Sequence, residues 1–312
     1  MDKFVFLLYY RKENIMKNNM QKITPNLWFN GNAKEAVDFY VSAFTDANII
    51  STSHYPKSKE EGLADFQLNM AGKVLTIDFE IMGFRFVAIN AGSEFTPNPS
   101  ISFTISCKSA YEVDALWHTL IMGGQALMEL GEYPFSKRYG WLNDKYGVSW
   151  QIIVRADGVP AGPITPGLMF TKENVGRAEE AMKFYTSVFP DSKIESIFRY
   201  ENQPGEKDGN IAHALFKLCG REFIAQESAG PHKFVFNEGV SLSISCKDQE
   251  EIDYYWEKLT AEGGQESVCG WLKDKYGVSW QVAPYNIEDL MKKPDAFKIM
   301  MQQKKIIIAE YK

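Results

Sequence analysis

The chain has 312 residues, of which 45% are hydrophobic and 14% are aromatic. This length is typical of about two domains, each large enough to bury its own core. The net charge of −6, without any block of Lys and Arg, argues against nucleic acid or an anionic membrane as a partner.

Residues 1–21 contain a single apolar run, Phe4 to Tyr10. Seven residues cannot span a bilayer, and the flanking sequence matches a signal peptide poorly. We expect these residues to form a disordered leader, and Met16 and Met20 are alternative start sites.

The most informative feature is an internal repeat of twelve residues. Residues 140–151 have the sequence GWLNDKYGVSWQ, and residues 270–281 differ from them only by Lys in place of Asn at the fourth position. A copy of this length indicates a tandem duplication. Each copy predicts a turn at Asp-Lys-Tyr-Gly and then a strand, which ends at Gln151 or Gln281. Alternation along that strand places Val and Trp on the face opposite Ser and Gln.

The repeat divides the chain into two domains, residues 22–155 and 164–284. A linker rich in Gly and Pro, residues 156–163, separates them, and residues 285–312 form a C-terminal tail. In the tail, a polar helix with an apolar stripe is predicted around Ile287 to Met301, packed on one repeat or on a partner.

Each repeat contains two strand–helix–strands units. Both repeats open with Ile-Thr-Pro and a short strand, which a helix follows. The predicted strands after that helix are Ile49 to His54, Leu63 to Met70, Val74 to Ile81 and Phe84 to Ile89 in repeat one, and Lys193 to Tyr200, Ile211 to Leu218 and Glu222 to Gln226 in repeat two. Repeat one thus carries extra strand or loop length. Each second unit begins with a strand ending in Ile-Ser-Cys-Lys, and its helix stops at a Gly-Gly pair.

The four cysteines are Cys107, Cys219, Cys246 and Cys269, and no two of them form a CxxC pair. Cys107 and Cys246 occupy the same place in the two repeats, which favours buried thiols over a disulfide. Free cysteines are typical of a cytoplasmic protein.

Repeat two contains Phe184-Tyr185-x-x-Val-Phe189, Gly230-Pro231, Val240 to Cys246 and Cys269 to Gln281. With these motifs, the four strand–helix–strands units resemble the vicinal oxygen chelate superfamily and, within it, the PhnB-like branch that carries a demethylubiquinone 3-methyltransferase-like label. The resemblance covers almost all of residues 22–284. It implies an α+β protein with two tandem domains, each of two βαβββ modules that form curved, mostly antiparallel sheets around a cup. The two domains would pair as an internal pseudo-dimer.

In metal-dependent members of the superfamily, His or Glu ligands lie at three recurring places. The resemblance assigns these places to Pro25, Ser100 and Gln151 in repeat one and to Pro166, Gly239 and Gln281 in repeat two. Pro cannot ligate through its side chain, and Gln is a neutral, weak donor. We therefore expect no metal and no other cofactor.

Several other residues are candidates for ligand binding. Trp141 and Trp271 are placed to stack on a planar ligand, whereas Trp150 and Trp280 suit the core. His213 has the character of a base or ligand, although a hydrogen-bonded histidine in the core or at the rim is the simpler interpretation. Cys269, like Tyr139 in the other repeat, directly precedes the repeated motif and has no evident base beside it. The Asp-Lys pairs at 144/145 and 274/275 are predicted to be turn residues with solvent-exposed charges.

Two functions follow. The first is a small-molecule binding protein of the glyoxalase/bleomycin-resistance type that works without the usual divalent metal. The second is a lyase, isomerase or dioxygenase of glyoxalase type whose metal is held by a non-standard set that includes His213. In either case one repeat could serve only as a structural partner. Methyl transfer is not expected, since the sequence has no glycine-rich loop after its first strand.

Overall fold

The computed structural model describes residues 21–155 and 164–312. The leader expected at the N-terminus and the linker at 156–163 lie outside the described residues, apart from Gln21. No helix in these two ranges is long and apolar enough to cross a bilayer.

The four units have the predicted order of elements. Unit 1 comprises β1 (Ile23–Phe29), α1 (Ala33–Ala43), β2 (Ala47–His54), β3 (Val74–Ile81) and β4 (Phe84–Asn90). Unit 2 comprises β5 (Ile101–Cys107), α2 (Ala110–Leu120), β6 (Gln125–Tyr133), β7 (Ser136–Asn143) and β8 (Ser149–Val154). Unit 3 comprises β9 (Thr165–Thr171), α3 (Ala178–Val188), β10 (Lys193–Arg199), β11 (Ile211–Leu218) and β12 (Arg221–Ser228). Unit 4 comprises β13 (Val240–Cys246), α4 (Gln249–Thr260), β14 (Gln265–Glu266), β15 (Trp271–Lys273) and β16 (Ser279–Pro284). The tail contains α5 (Ile287–Leu290) and α6 (Ala296–Gln302).

These strands form two eight-stranded sheets, and each sheet takes one unit from each repeat. Sheet A has the order β14-β15-β16-β13-β1-β4-β3-β2, and sheet B has the order β10-β11-β12-β9-β5-β8-β7-β6. The repeats join through antiparallel pairs, β1 with β13 and β5 with β9. The first and last strands of each unit pair in parallel, and the remaining pairs are antiparallel. The predicted α+β fold is confirmed, and units 1 and 4 share sheet A while units 2 and 3 share sheet B.

The core lies between the two sheets, on the faces that carry the helices. Trp150 of β8 is fully buried, and its ring contacts Tyr40 of α1 with a centroid distance of 5.6 Å. In the second repeat, Trp280 of β16 contacts Tyr185 of α3 at 5.7 Å. Because α1 packs on strands of sheet A while Trp150 belongs to sheet B, these aromatic side chains connect the two sheets.

The opposite face of each sheet carries the alternate residues, and we call it the inner face. Sheet A is curved towards this face. The chain leaves β16 at Pro284, and Glu288 already bonds Ser51 of β2, five strands away. Four residues span at most about 14 Å, whereas five strand spacings along the sheet amount to about 24 Å. Because α5 begins at Ile287, these four residues span less than that limit, and even two extended side chains do not bridge the remaining gap across a flat sheet. The inner face of sheet A therefore forms a cup. We call the inner faces of sheets A and B cup A and cup B.

The strand predicted at Leu63 to Met70 is wrong. The segment forms a short 3-10 helix at Asp65–Met70. Its alternating apolar residues are not covered by a sheet, since the side chain of Phe66 is 76% exposed. The segment is held instead by Leu63, which is buried against Phe297 of the tail. The extra length of repeat one is therefore a loop.

The single helix predicted in the tail is broken into α5 and α6. Pro294 lies between them, and the next residue, Asp295, has a left-handed backbone with φ of +55°. Proline cannot donate the helical hydrogen bond and disfavours helical geometry in the residue before it.

All four cysteines are free, as predicted, and Cys107 and Cys246 are buried.

Candidate functional site

Gln151 lies on the inner face of sheet B, in cup B. Its strand, β8, is between β5 and β7. The amide nitrogen donates to Ser102 Oγ on β5 at 2.9 Å, and the amide oxygen accepts from the Tyr139 hydroxyl on β7 at 2.8 Å. Both ends of the amide are thus engaged, which fixes the direction in which Gln151 points.

Gln281 has the matching position in cup A but a different set of partners. Its amide nitrogen donates to Ser241 Oγ at 3.0 Å, as Gln151 does to Ser102. Cys269 stands in the place of Tyr139 and supplies no hydroxyl. The two cups thus share the hydrogen bond between glutamine and serine, and they differ in the residue beside the amide oxygen, which is Tyr139 in cup B and Cys269 in cup A.

Further polar groups surround Gln151 in cup B. The indole nitrogen of Trp141 donates to Ser149 Oγ at 2.8 Å. Thr104 pairs with Gln151 across the β5–β8 ladder, so its side chain is on the same face. Within the described part of the chain, the buried Thr104 Oγ1 and Asn143 Oδ1 have no hydrogen-bond partner. Buried polar atoms without partners are rare, because each one costs the free energy of its lost hydration. These atoms could be satisfied by a bound molecule.

His213 lies on the far wall of cup B. The register from β11 through β12, β9 and β5 places it on the same face as Ser102. Its imidazole makes no hydrogen bond to the residues that the structure describes. Burial lowers the pKa of His213, which keeps the ring neutral near pH 7. The matching residue of cup A, Thr76, is instead bonded to Ser53 at 2.6 Å.

Exposed aromatic side chains lie at both edges of sheet B. Phe135 is 62% exposed and contacts Tyr133 and Tyr139 with centroid distances of 5.6 and 5.0 Å. Phe198, on the opposite edge strand, is 63% exposed and pairs with His213. This arrangement was not predictable from the sequence, because the residues come from two different repeats.

Ser100, Pro25 and Pro166 do not contact the glutamines. Ser100 lies just before β5, and its carbonyl accepts from the Met169 amide at 2.8 Å. Ser102, two positions further on, is the neighbour of Gln151. Pro166 pairs with the core residue Phe103, which places it on the face away from the cup. The residues beside the two glutamines are therefore Ser102 and Ser241 rather than Ser100 and Gly239.

The groups around Gln151 do not fit a divalent-cation centre. An amide, a hydroxyl and the phenol of Tyr139, whose pKa burial raises, are all neutral near pH 7. A dication in such a site would lack compensating charge. Across residues 21–155 and 164–312, no three His, Cys, Asp or Glu side chains are grouped so that they could hold a metal.

Asp144 and Asp274 are buried, so the predicted solvent-exposed charges are wrong for both. Asp144 accepts from the Tyr40 hydroxyl and the Trp150 indole, each at 2.8 Å, and from the backbone amides of Tyr146 and Val148 at 2.8 and 3.1 Å. Asp274 has the same four kinds of partner in repeat two. The turn sequence concealed this, because the Tyr that completes the network lies in a distant helix.

The remaining candidates lie in cup A or in the core. Trp271 packs edge-on against Trp28 of β1, with a centroid distance of 5.8 Å. The thiol of Cys269 is 3.6 Å from the sulfur of Met301, and burial raises its pKa to about 11. Such a thiol is a poor nucleophile near pH 7. Trp150 and Trp280 are core residues, as expected.

Two sheets of βαβββ units around a cup define a vicinal oxygen chelate fold. Glyoxalase I from Zea mays has 12% identity and a TM-score of 0.53, over 85% of this chain and 94% of that one, which shows the shared fold. The family model described as 3-demethylubiquinone-9 3-methyltransferase matches residues 21–153 and again residues 163–283. The chain therefore belongs to this PhnB-like family and contains two copies of its domain.

A solved structure described as a putative 3-demethylubiquinone-9 3-methyltransferase, PhnB protein, from Bacillus cereus is 40% identical, over 43% of this chain and 100% of that one, with a TM-score of 0.38. No curated protein matched the chain.

Proposed function

We propose that the protein binds a small molecule in cup B and does so without a divalent metal. The observation that carries this proposal is the engaged amide of Gln151, which occupies the place of a metal-binding carboxylate in the superfamily and is held by Tyr139 and Ser102. A neutral amide recognises a ligand through hydrogen bonds rather than through charge.

The lining of cup B favours a neutral ligand that combines a planar apolar part with a hydrogen-bonding group. The unpaired Thr104 hydroxyl and Asn143 carbonyl would bond its polar end. The exposed rings of Phe135 and Phe198, on opposite edges of the sheet, would contact its planar part at the entrance. His213, neutral near pH 7, would add a hydrogen bond from the far wall.

The methyltransferase description is a family label that we do not extend to an activity. Methyl transfer needs a bound methyl donor, and the sequence has no glycine-rich loop after its first strand to hold a nucleoside cofactor. The free cysteines support placing the protein in the cytoplasm.

A ligand screen by thermal shift, run with and without divalent metals, tests the proposal. Ligand binding should raise the melting temperature by mass action, and the rise should not depend on metal. Gln151→Ala should weaken binding of the identified compound, while the matched variant Gln281→Ala should not. The pair Trp141→Ala and Trp271→Ala separates the two cups in the same way.

The alternative is a glyoxalase-type enzyme in which His213 would be a metal ligand. Metal analysis of protein purified without chelator distinguishes this alternative from metal-independent binding. Stoichiometric zinc, nickel, manganese or iron, lost on His213→Ala, would contradict the metal-independent proposal.

A further inference from the structure

Cup A and cup B differ in the length of the β-hairpin at one edge of the sheet. In sheet B the hairpin β6–β7 is long, with strands of nine and eight residues. In sheet A the corresponding strands β14 and β15 have only two and three residues. The short hairpin leaves the backbone amides of Cys269 and Gly270 without a partner strand.

The C-terminal residues take the place of that missing strand. The amide of Cys269 donates to the carbonyl of Gln303 at 2.8 Å, and the amide of Gly270 donates to that of Lys304 at 2.7 Å. Just beyond, Gln249 of α4 exchanges hydrogen bonds with the backbone of Ile306 and Ile308 at 3.0 and 2.9 Å. Pairing of this kind protects the edge of a sheet.

The same segment also holds the opposite wall of cup A. Glu288 bonds Ser51 Oγ on β2 at 3.1 Å and lies 4.0 Å from the guanidinium of Arg85 on β4. Phe297 of α6 is buried against Tyr55, with ring centroids 6.1 Å apart.

Between its two anchors the segment has a small core of its own. It consists of Leu290, Ala296, Ile306 and Tyr311, all of them buried. The outgoing and returning parts of the segment therefore pack on each other and cross the cup as one unit.

We propose that residues 285–312 form a strap that closes cup A, so that each chain offers one open cup, cup B. The strap joins β2 of repeat one to β15 of repeat two. Its place on cup A does not depend on the proposed function; only the assignment of cup B as the ligand site does.

The thiol of Cys269 reports on the strap without any ligand. It lies beneath the strap, 3.6 Å from Met301, and burial gives it a raised pKa. Opening the strap should expose the thiol and return its pKa towards the ordinary value, so both effects should accelerate its reaction with a disulfide reagent such as DTNB. Cys107 and Cys246, buried in the core, should stay unreactive and thus verify the fold.

The experiment uses the full-length chain with Cys219→Ser as the background. Phe297→Ala removes the anchor on the first wall, and Phe66→Ala, at an exposed phenylalanine of the neighbouring loop, is the matched control. We expect Cys269 to react roughly tenfold faster or more in Phe297→Ala, because loss of a buried Phe side chain favours local opening, and at the wild-type rate in the control. Glu288→Ala, a milder change, should act in the same direction.

Two results would overturn the strap: a wild-type Cys269 that reacts like an exposed thiol, or equal rates in Phe297→Ala and Phe66→Ala. The neutral fluorescent probe N-phenyl-1-naphthylamine then tests the number of open cups. We expect one probe molecule per wild-type chain and a second one in Phe297→Ala. Two equivalent sites in the wild type would overturn the assignment of a single open cup. A wild-type chain that binds no probe would overturn the assignment of cup B as an open cup for planar neutral ligands, while the expected thiol rates would still support the strap.

Discussion

Replacement of Asp144 by Asn tests whether the buried carboxylate holds the repeated motif in place. One oxygen of Asp144 accepts from Tyr40 and Trp150, and the other accepts from the amides of Tyr146 and Val148. Asn has only one acceptor oxygen. Whichever way its amide is turned, its NH2 group faces either the Trp150 indole N–H or two backbone N–H groups.

The expected loss in the free energy of unfolding follows from the hydrogen bonds that Asp144→Asn removes. A hydrogen bond to a charged group contributes about 1.5–3 kcal/mol, and an unsatisfied buried donor costs about 1–3 kcal/mol. Asn avoids the burial of a charge, which is the main reason that the pKa of Asp144 is raised, so part of the loss is offset. We expect the free energy of unfolding to fall by about 2–4 kcal/mol.

Urea unfolding at pH 7, followed by tryptophan fluorescence, measures this change. Asp38→Asn is the matched control, since Asp38 is exposed on α1 and pairs with Lys34, four residues away. The control should change the unfolding free energy by less than about 0.5 kcal/mol. An equally small change in Asp144→Asn would refute the reasoning, and Asp274→Asn should repeat the large effect.

The difference between wild type and Asp144→Asn should also depend on pH. Because the folded state raises the pKa of Asp144, it binds a proton more readily than the unfolded chain does. The contribution of this group to stability is therefore fully present below the ordinary Asp pKa and declines as pH rises through the folded value. The gap between wild type and variant should be wider at low pH than at pH 7.

Three further predictions concern the cups. Tyr139→Phe removes the donor to Gln151 and should lower the free energy of unfolding by about 1–2 kcal/mol in urea titrations, whereas no change would show that this bond is dispensable. The lowered pKa of His213 stabilises the folded state above the ordinary His pKa and ceases to do so as pH falls, so His213→Gln should flatten the stability profile between about pH 7 and 5. The pKa of Glu288 is raised, first by its contact with Asp78 and then by burial, although Arg85 opposes this; strap closure should therefore weaken as pH rises above the ordinary Glu pKa. Once the Cys269 labelling rates are corrected for thiolate fraction, Glu288→Gln should remove their dependence on pH. An unchanged pH dependence in this variant would contradict the role of Glu288.

The sequence by itself determined the duplication and the order of elements in the four units. It also determined which side chains of β8 and β16 face the core and which face the cup. Trp150 and Gln151 fall on opposite faces because strand alternation is a local property. The same local reasoning failed at Asp144, where a turn-like sequence has its decisive partner, Tyr40, about a hundred residues away.

Tertiary structure alone decided which units share a sheet. Leu27 pairs with Val240 and Ser102 with Gly167, so each cup is built from both repeats. Two nearly identical motifs give no basis for choosing between pairing within a repeat and pairing across repeats, because both choices satisfy the same alternation of apolar and polar residues. The closure of cup A by residues 285–312 was likewise not predictable, because it depends on hydrogen bonds from the amides of Cys269 and Gly270 to the carbonyls of Gln303 and Lys304, and no local pattern specifies contacts between such distant residues.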